Sequence, residues 1–210
     1  MFRVIMADPP WKYASPRALV GVGGRGAMGG RAAQLKQVDV ESQYPTMTVA
    51  EICALPVCVA ADPTGCMLFL WVTNPFLCDG SGSKVVTSWG FSPVTVLTWG
   101  KTKASSKHEI TPSMKTGHWF RSASEHCIVG TLGHLKRPRG YPALPTWQPH
   151  PRLTNHSEKP IIFHEYAEQA VPEGPWLELF ARSIRPGWQS VGNQLVESQS
   201  VEQYLTDFVV

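Results

Sequence analysis

The feature that most constrains the fold is an uninterrupted apolar run, Cys66-Met67-Leu68-Phe69-Leu70-Trp71-Val72. A short apolar run without polar alternation is typical of a strand covered on both faces, and such strands belong to parallel sheets flanked by helices. Further strands are predicted over residues 2–7, 93–99, 125–129, 176–181 and 188–192, and helices over residues 49–55, 76–89 and 161–171. Because strands alternate with helices, we predict an open, mostly parallel, twisted α/β sheet with helices on both faces.

The length of 210 residues fits one domain, residues 1–210, with its own core. Three segments lack a periodic apolar pattern and are predicted to be loops, at about residues 15–43, 101–117 and 131–157. Residues 101–152 contain nine basic and two acidic side chains. Basic loops on an otherwise acidic scaffold favour a polyanionic partner such as nucleic acid, the alternatives being charge that is merely solvated and proline-rich surface packing.

Several classes of protein are excluded by the sequence. No stretch approaches the roughly 18 apolar residues of a membrane span, and the apolar run at residues 2–7 is too short for a signal peptide. We therefore expect a cytoplasmic protein. The five cysteines are odd in number and lack a Cys-x-x-Cys pair, which predicts reduced core thiols. The histidines lack zinc-ligand spacing, so no metal is expected.

One glycine motif matches a dinucleotide-binding pattern but lies in the wrong context. The motif is Gly21-Val22-Gly23-Gly24-Arg25-Gly26. The fingerprint requires a strand directly before it and a helix opening at it, whereas further glycines follow here. The sequence therefore argues against a nicotinamide-dependent oxidoreductase. The segment is interpreted as a gate that substrate orders or as a disordered insertion.

Asp8-Pro9-Pro10-Trp11 is the most informative tetrapeptide in the chain. The two prolines fix φ and remove two N–H donors, so the turn presents acceptors only. An acidic side chain, proline carbonyls and an aromatic face together suit a flat ligand that carries an amino group, such as a nucleobase. The motif follows a predicted strand, and ligands of open α/β sheets bind at the carboxyl ends of strands.

This tetrapeptide resembles the catalytic motif of amino-methyltransferases, and its tryptophan form is similar to the MT-A70 family of adenine N6-methyltransferases. Other runs resemble the family in the same order: Tyr44-Pro45-Thr46-Met47, Leu68-Phe69-Leu70-Trp71-Val72-Thr73-Asn74, Thr116-Gly117-His118-Trp119, Glu125-His126-Cys127-Ile128-Val129-Gly130, Ser157-Glu158-Lys159-Pro160, Glu178-Leu179-Phe180-Ala181-Arg182 and Gly192-Asn193-Gln194. The glycine- and arginine-rich segment and the stretch at 122–145 resemble the phage and bacterial DNA branch, which implies the cytoplasm of a bacterial or phage-infected host cell. The resemblance implies a Rossmann-like methyltransferase fold in permuted order, with the catalytic motif before the cofactor strand.

The resemblance also implies an activity, the transfer of a methyl group from S-adenosylmethionine to adenine N6 in DNA, and a set of site residues. The catalytic residues would be Asp8, Pro9, Pro10 and Trp11, with Asp8 accepting an N6 hydrogen and Trp11 stacking on the base. The cofactor would be bound by Asp8, Ser157, Lys159, Glu178, Phe180, Arg182, Asn193 and Gln194. Substrate-side residues are predicted at Tyr44, His118, Trp119, Glu125, Arg137 and Arg139.

Alternatives remain for individual residues and for the function. Lys159 could be solvated before a helix, Glu178 could pair with Arg182 or Arg185, and Asn193 with Gln194 could cap a turn. Tyr44, His118 and Glu125 could have core or hinge roles. The alternative functions are methylation of RNA adenosine, and a catalytically silent subunit or loop-driven module that only binds nucleic acid.

Overall fold

The computed structural model describes residues 1–13, 45–104, 110–114, 119–153, 158–195 and 199–208. Seven strands form one sheet: β1 (Val4–Ala7), β2 (Gly65–Val72), β3 (Ser92–Thr102), β4 (Ser124–Gly133), β5 (Trp147–Pro151), β6 (Trp176–Leu179) and β7 (Trp188–Val191). The helices are α1 (Val49–Ala54), α2 (Asn74–Cys78), α3 (Ser81–Ser88), α4 (Ile162–Ala170) and α5 (Val201–Thr206), and a 3-10 turn covers Val57–Val59.

The sheet has the strand order β5-β3-β4-β2-β1-β6-β7. The pairs β1–β2, β1–β6, β6–β7 and β3–β5 are parallel, whereas β4 is antiparallel to both of its neighbours. All strands except β4 therefore run in one direction, which confirms the predicted open and mostly parallel sheet. The permuted order of motifs stays a prediction.

Helices cover both faces of the sheet, as predicted. On one face, Ile5, Leu68 and Leu177 pack in a cluster that contains Ile52 of α1, Val85 of α3 and Leu205 of α5. On the other face, Val4, Met6 and Trp71 pack in a cluster with Phe163 and Tyr166 of α4. Because successive side chains of a strand point to opposite faces, Val4 and Met6 fix the α4 side of β1. Asp8, two residues after Met6, therefore points to the same face of the sheet.

Local sequence signals explain where several elements begin and end. The predicted capping box at the start of α1 is present, since Thr48 Oγ1 accepts from Glu51 N and Glu51 Oε2 accepts from Thr48 N. The single helix predicted over residues 76–89 is wrong. The chain forms α2 and α3 instead, because Gly80 adopts a left-handed φ of 79° that interrupts the helix.

The structure corrects two of the predicted loops. The segment at 131–157 contains the end of β4 and the whole of β5, which pairs with β3 from Thr98↔Trp147 to Thr102↔Pro151. Its prolines are tolerated because β5 is an edge strand. The segment at 101–117 begins inside β3, which extends to Thr102. The segment at 15–43 lies outside the described residues, and α5 was not predicted.

Cysteine burial and membrane segments can be compared with the sequence predictions. Cys66 and Cys127 are buried as expected of core thiols, but Cys58 and Cys78 are exposed, so the prediction fails for those two. Among the described residues, no helix is both long and apolar enough to cross a bilayer.

The structure packs Gly192, which follows β7, against the backbone of the turn that follows β6. A Cβ placed on Gly192 would lie 2.3 Å from Ala181 O and 2.7 Å from Ala181 N, and a backbone cannot move aside as a side chain does. We expect Gly192→Ala to lower the free energy of unfolding by about 1–3 kcal/mol, measured by urea denaturation. The neighbouring exposed Asn193→Ala is the control, and equal stability of both variants would contradict the close approach.

Candidate active site

Asp8 lies directly after β1, which is flanked by β2 and β6 near the middle of the sheet. Its carboxylate Oδ2 is 2.6 Å from Lys159 Nζ and 4.0 Å from Arg182 Nη2. The Asp8 side chain is 21% exposed, so the carboxylate is largely desolvated yet still open to a ligand. Both of these ionic contacts fall on Oδ2, which leaves Oδ1 as the oxygen suited to accept from a bound molecule.

Two further charges extend this ion pair along the edge of the sheet. Glu125 Oε2 lies 3.5 Å from Lys159 Nζ, and Glu125 Oε1 pairs with Lys101 Nζ. We call Asp8, Lys159, Glu125 and Lys101 the charge network. The charges of these four side chains alternate in sign in that order, so Glu125 lies between two lysines and Asp8 lies beside Lys159. Such pairing is what makes buried charges tolerable.

Strand register explains why these residues meet. Trp99 and Cys127 pack on the α4 face, so Lys101 and Glu125, two positions away on β3 and β4, point to the same side as Asp8. Because β4 runs opposite to the other strands, its first residues lie at the edge where β1, β2 and β6 end. Lys159 reaches this edge from the segment that precedes α4.

The network shifts the pKa of each of its members. Burial raises the pKa of Asp8, and the nearby Lys159 and Arg182 offset this only in part. Burial also opposes ionisation of Glu125, but Lys159 and Lys101 outweigh it and hold the pKa of Glu125 below its ordinary value. The pKa of Lys159 is raised, because attraction to Asp8 and Glu125 overcomes its burial. Burial lowers the pKa of Lys101 despite its pairing with Glu125.

The proline carbonyls of the motif already accept backbone hydrogen bonds. Pro9 O accepts from Trp11 N at 2.9 Å, and Pro10 O accepts from Met47 N at 2.7 Å. A carbonyl oxygen has two lone pairs, so Pro9 O and Pro10 O can each accept a second hydrogen bond, from the amino group of a ligand. The bond from Met47 N fixes the turn against the chain that leads into α1.

Trp11 is packed on the opposite face of the sheet from the charge network. Its ring is 6% exposed and stacks on Phe76 at 4.7 Å between centroids, and its Nε1 donates to Trp71 O at 3.0 Å. Tyr13, which is 44% exposed, lies 5.0 Å from Phe76 and bonds to Thr73 Oγ1. Stacking of Trp11 on a base stays a prediction. In this structure the Trp11 ring anchors the motif to the core.

The residues predicted at the cofactor end surround the ends of β6 and β7. Glu178 pairs with His164 of α4 at 3.2 Å rather than with Arg182 or Arg185. Arg185 instead donates twice to Glu168 Oε1, which also accepts from Trp188 Nε1. The Arg185 side chain is therefore bound to α4.

The turn after β6 has an unusual backbone. Phe180 has a positive φ of 62°, a conformation that is uncommon for a residue other than glycine and that clusters at ligand sites. Ala181 N then donates to Val191 O, which holds this turn against the end of β7. Asn193 and Gln194 follow β7 and are exposed. Their polar side chains thus lie at the same edge of the sheet as Asp8.

The two arginines predicted on the substrate side follow β4 and lie away from the charge network. Trp119 is 86% exposed and precedes β4. Arg137 donates to Tyr141 O and lies over the Tyr141 ring, and Arg139 is exposed. Their connection leaves β4 at Gly133, at the sheet edge opposite to Asp8. Tyr44, His118 and Ser157 lie outside the described residues.

Two charged or titratable site residues were not predicted from the sequence. The sequence pattern predicts a loop at Lys101, whereas the contact of Lys101 with Glu125 depends on the β3–β4 register, which the sequence does not reveal. In the sequence His164 is a histidine without metal-ligand spacing, whereas in the structure it is the partner of Glu178. Within the described part of the chain, no group of three or more His, Cys, Asp or Glu side chains could hold a metal ion.

Comparison with known proteins identifies the family. The MT-A70 family model matches residues 2–194. A human protein named "N(6)-adenosine-methyltransferase catalytic subunit METTL3" is 29% identical over 197 residues, covering 92% of this chain and 28% of its own length. An Arabidopsis thaliana protein named "N(6)-adenosine-methyltransferase MT-A70-like" is 30% identical over 92% of this chain and 24% of its own length. Human "N(6)-adenine-specific methyltransferase METTL4" is 27% identical over 97% of this chain and 39% of its own length.

The chain belongs to the MT-A70 family, because the family model covers nearly its whole length. The seven-stranded, mostly parallel sheet flanked by helices is consistent with the Rossmann-like methyltransferase fold. MT-A70 methyltransferases use S-adenosylmethionine as the methyl donor. The chain spans about a quarter of the length of the METTL3-like relatives that it matches.

The charge network predicts a specific pH dependence of stability. The pKa of Glu125 is held below its ordinary value of 4.5, so its contribution is present above that value and is lost as pH falls through the lowered pKa. We expect Glu125→Gln to lower the free energy of unfolding at pH 7 by about 1–3 kcal/mol and to flatten its decline below pH 4.5.

Urea denaturation over a pH series measures this effect. Glu165→Gln on α4 is the matched control and should retain the wild-type pH dependence. An unchanged acid decline in Glu125→Gln would show that Lys159 and Lys101 do not hold the Glu125 carboxylate ionised.

Proposed function

We propose that this chain transfers a methyl group from S-adenosylmethionine to the N6 amino group of adenine in nucleic acid, with Asp8 as the acceptor that orients N6. One observation carries the proposal. The Asp8 carboxylate lies at the carboxyl edge of the sheet, fixed by Lys159 on one oxygen, and is 4.0 Å from Arg182 at the end of β6. Membership of the MT-A70 family supports the same chemistry.

The hydrogen-bond acceptors of Asp8, Pro9 and Pro10 explain how the N6 amino group is activated. The N6 lone pair of adenine is delocalised into the ring, and accepting its hydrogens localises electron density on nitrogen. Asp8 Oδ1 accepts one hydrogen, and the free lone pair of the Pro9 or Pro10 carbonyl accepts the other. Near-attack positioning of this kind is worth as much as about 7–11 kcal/mol of the barrier.

The electron and proton balance assigns a second role to Asp8. A bond forms between N6 and the methyl carbon, the carbon–sulfur bond breaks, and N6 then loses one hydrogen as a proton. The raised pKa of Asp8 suits its carboxylate to take that proton once the new bond has formed. Lys159 holds the Asp8 carboxylate in place during this step.

The residues at this edge fit the chemistry of the cofactor. S-adenosylmethionine supplies an electrophilic methyl group on a sulfonium and carries a methionine zwitterion. Asp8 and Lys159 present a carboxylate and an ammonium side by side, and an ammonium with three N–H donors can bind a carboxylate in addition to Asp8. We infer that Lys159 holds the methionine carboxylate, and that Arg182, Phe180, Asn193 and Gln194 lie at the ribose and adenine end.

A further part of the proposal concerns whether the substrate is DNA or RNA. We propose DNA, on the resemblance of the glycine- and arginine-rich segment to the phage and bacterial branch. RNA is the second candidate, because several relatives are named as adenosine methyltransferases and adenosine is a ribonucleoside. A silent subunit is the third possibility, and the intact Asp8-Pro9-Pro10-Trp11 motif with its Lys159 contact argues against it.

Asp8→Asn tests the chemistry. Asparagine keeps the shape of the side chain but replaces one acceptor oxygen by a donor group, so we expect methylation at saturating cofactor and substrate to fall by about 10²–10⁴-fold. Methyl transfer is measured with tritium-labelled S-adenosylmethionine. Asp79→Asn, an exposed aspartate, is the control. Near-native turnover of Asp8→Asn would exclude Asp8 as the acceptor.

A second assay tests the substrate. Adenine-containing oligonucleotides of DNA and RNA, each single- and double-stranded, are incubated with the protein, and N6-methyladenine is measured by mass spectrometry. We expect methylated DNA, with single strands preferred because extruding a base from a duplex costs a few kcal/mol. Methylation of RNA alone would favour the second candidate. Methylation of neither, by protein that S-adenosylmethionine stabilises against heat, would contradict catalysis.

A further inference from the structure

Lys101 is the member of the charge network to which the proposed chemistry assigns no role. Its side chain is 9% exposed, it pairs with Glu125, and its Nζ lies 4.7 Å from the centre of the Trp99 ring. A lysine so far removed from water is destabilising unless its charge is balanced. The structure balances it within the network that contains Asp8.

The backbone around Lys101 is fixed from several directions. Lys101 N donates to Ala123 O, and Lys101 O accepts from Ser113 N, both at 2.7 Å. The ring beneath its ammonium is held as well, because Trp99 Nε1 donates to His150 O of β5 at 2.8 Å. Lys101 thus provides a charge in a defined position at the end of β3.

The geometry links Lys101 to Asp8 through two other side chains. Glu125 presents Oε1 to Lys101 and Oε2 to Lys159, and Lys159 bonds to Asp8 Oδ2. Lys159 is 2.6 Å from Asp8 but 3.5 Å from Glu125, so the shorter contact is with Asp8. Without the charge of Lys101, Glu125 would have Lys159 as its main cationic partner and would attract it away from Asp8.

We propose that Lys101 is a positioning residue for the methyl transfer, which by holding Glu125 keeps Lys159 on the carboxylate of Asp8. This inference rests on the proposed function, since the reaction it serves is the one assigned to Asp8. Lys101 does not touch the reacting atoms in this account. It acts through Glu125 and Lys159.

The charges around the two ends of the network set the expected pH dependence. Asp8 is faced by Lys159, Arg182 and Glu125, and Lys101 by Glu125, Arg152 and Lys159. The Cys127 thiol also lies close to Lys159 and Asp8, and burial raises its pKa so that it stays neutral. Removing the charge of Lys101 leaves the negative charge of Glu125 less compensated, which favours protonation of Asp8.

The test compares Lys101→Met, which keeps the unbranched stem but not the charge, with Lys101→Arg and with Lys103→Met, an exposed control two positions along the chain. We expect Lys101→Met to lower kcat at least about tenfold with little change in the KM for nucleic acid, as for loss of an interaction that matters in the transition state. The acid limb of the pH profile of kcat should move to higher pH in this variant. Lys101→Arg should restore most of kcat, and Lys103→Met should resemble the wild type.

A double variant separates positioning from a merely structural role. In Lys101→Met/Glu125→Gln the network is neutral again, so the acid limb should return toward that of the wild type, although two ionic contacts are lost. If Lys101 were only structural, the double variant would regain stability, because no unpaired Glu125 charge remains buried, but its acid limb would not return. A wild-type kcat and pH profile in Lys101→Met would overturn the proposal.

A direct titration keeps this inference distinct from the proposed function. The Asp8 carboxyl is titrated by carbon-13 NMR in the wild type and in Lys101→Met, with melting temperatures confirming that both are folded. We expect a higher pKa for Asp8 in Lys101→Met, and an identical pKa in both proteins would refute the positioning role whether or not the wild type methylates nucleic acid. Absence of methylation by the wild type would instead refute the proposed function.

Discussion

The ion pair between Asp8 and Lys159 is the interaction on which the rest of the site depends. The two residues are 151 positions apart in the chain and 2.6 Å apart in the structure. Each charge would be costly to bury alone, and the cost is relieved only when both are present in good geometry. The pair therefore joins the first strand to the segment before α4, and it fixes the one side chain whose carboxylate the proposed chemistry requires.

The strand order places this pair where a ligand can reach it. β1 lies between β2 and β6, so residues that follow all three strands meet at one edge of the sheet. The reversed direction of β4 adds Glu125 to that edge from its first residues rather than its last. The same edge thus carries the acceptor turn and the predicted cofactor end, which is the arrangement that methyl transfer between two bound molecules needs.

The sequence predicted the class of sheet, but not how the candidate site residues contact one another. Apolar runs and the α1 capping box located most elements, and the motif at Asp8 placed an acceptor at the end of β1. The pairing of Lys101 with Glu125 depends on a register between β3 and β4 that no local pattern encodes. Likewise, an indole can stack on a ligand or pack in a core with equal local preference, and only tertiary packing placed Trp11 on Phe76.

The most direct measurement is a crystal structure of the protein with a compound that joins adenine N6 covalently to the methyl-donor end of an S-adenosylmethionine analogue. We expect an oxygen of Asp8 within about 2.6–3.2 Å of N6, with Lys159 still bound to the other oxygen. The adenosyl group of the cofactor portion should lie against the ends of β6 and β7. A compound bound with N6 beyond hydrogen-bond reach of Asp8, or with Lys159 turned away from Asp8, would contradict the role of Asp8 as the acceptor that orients N6.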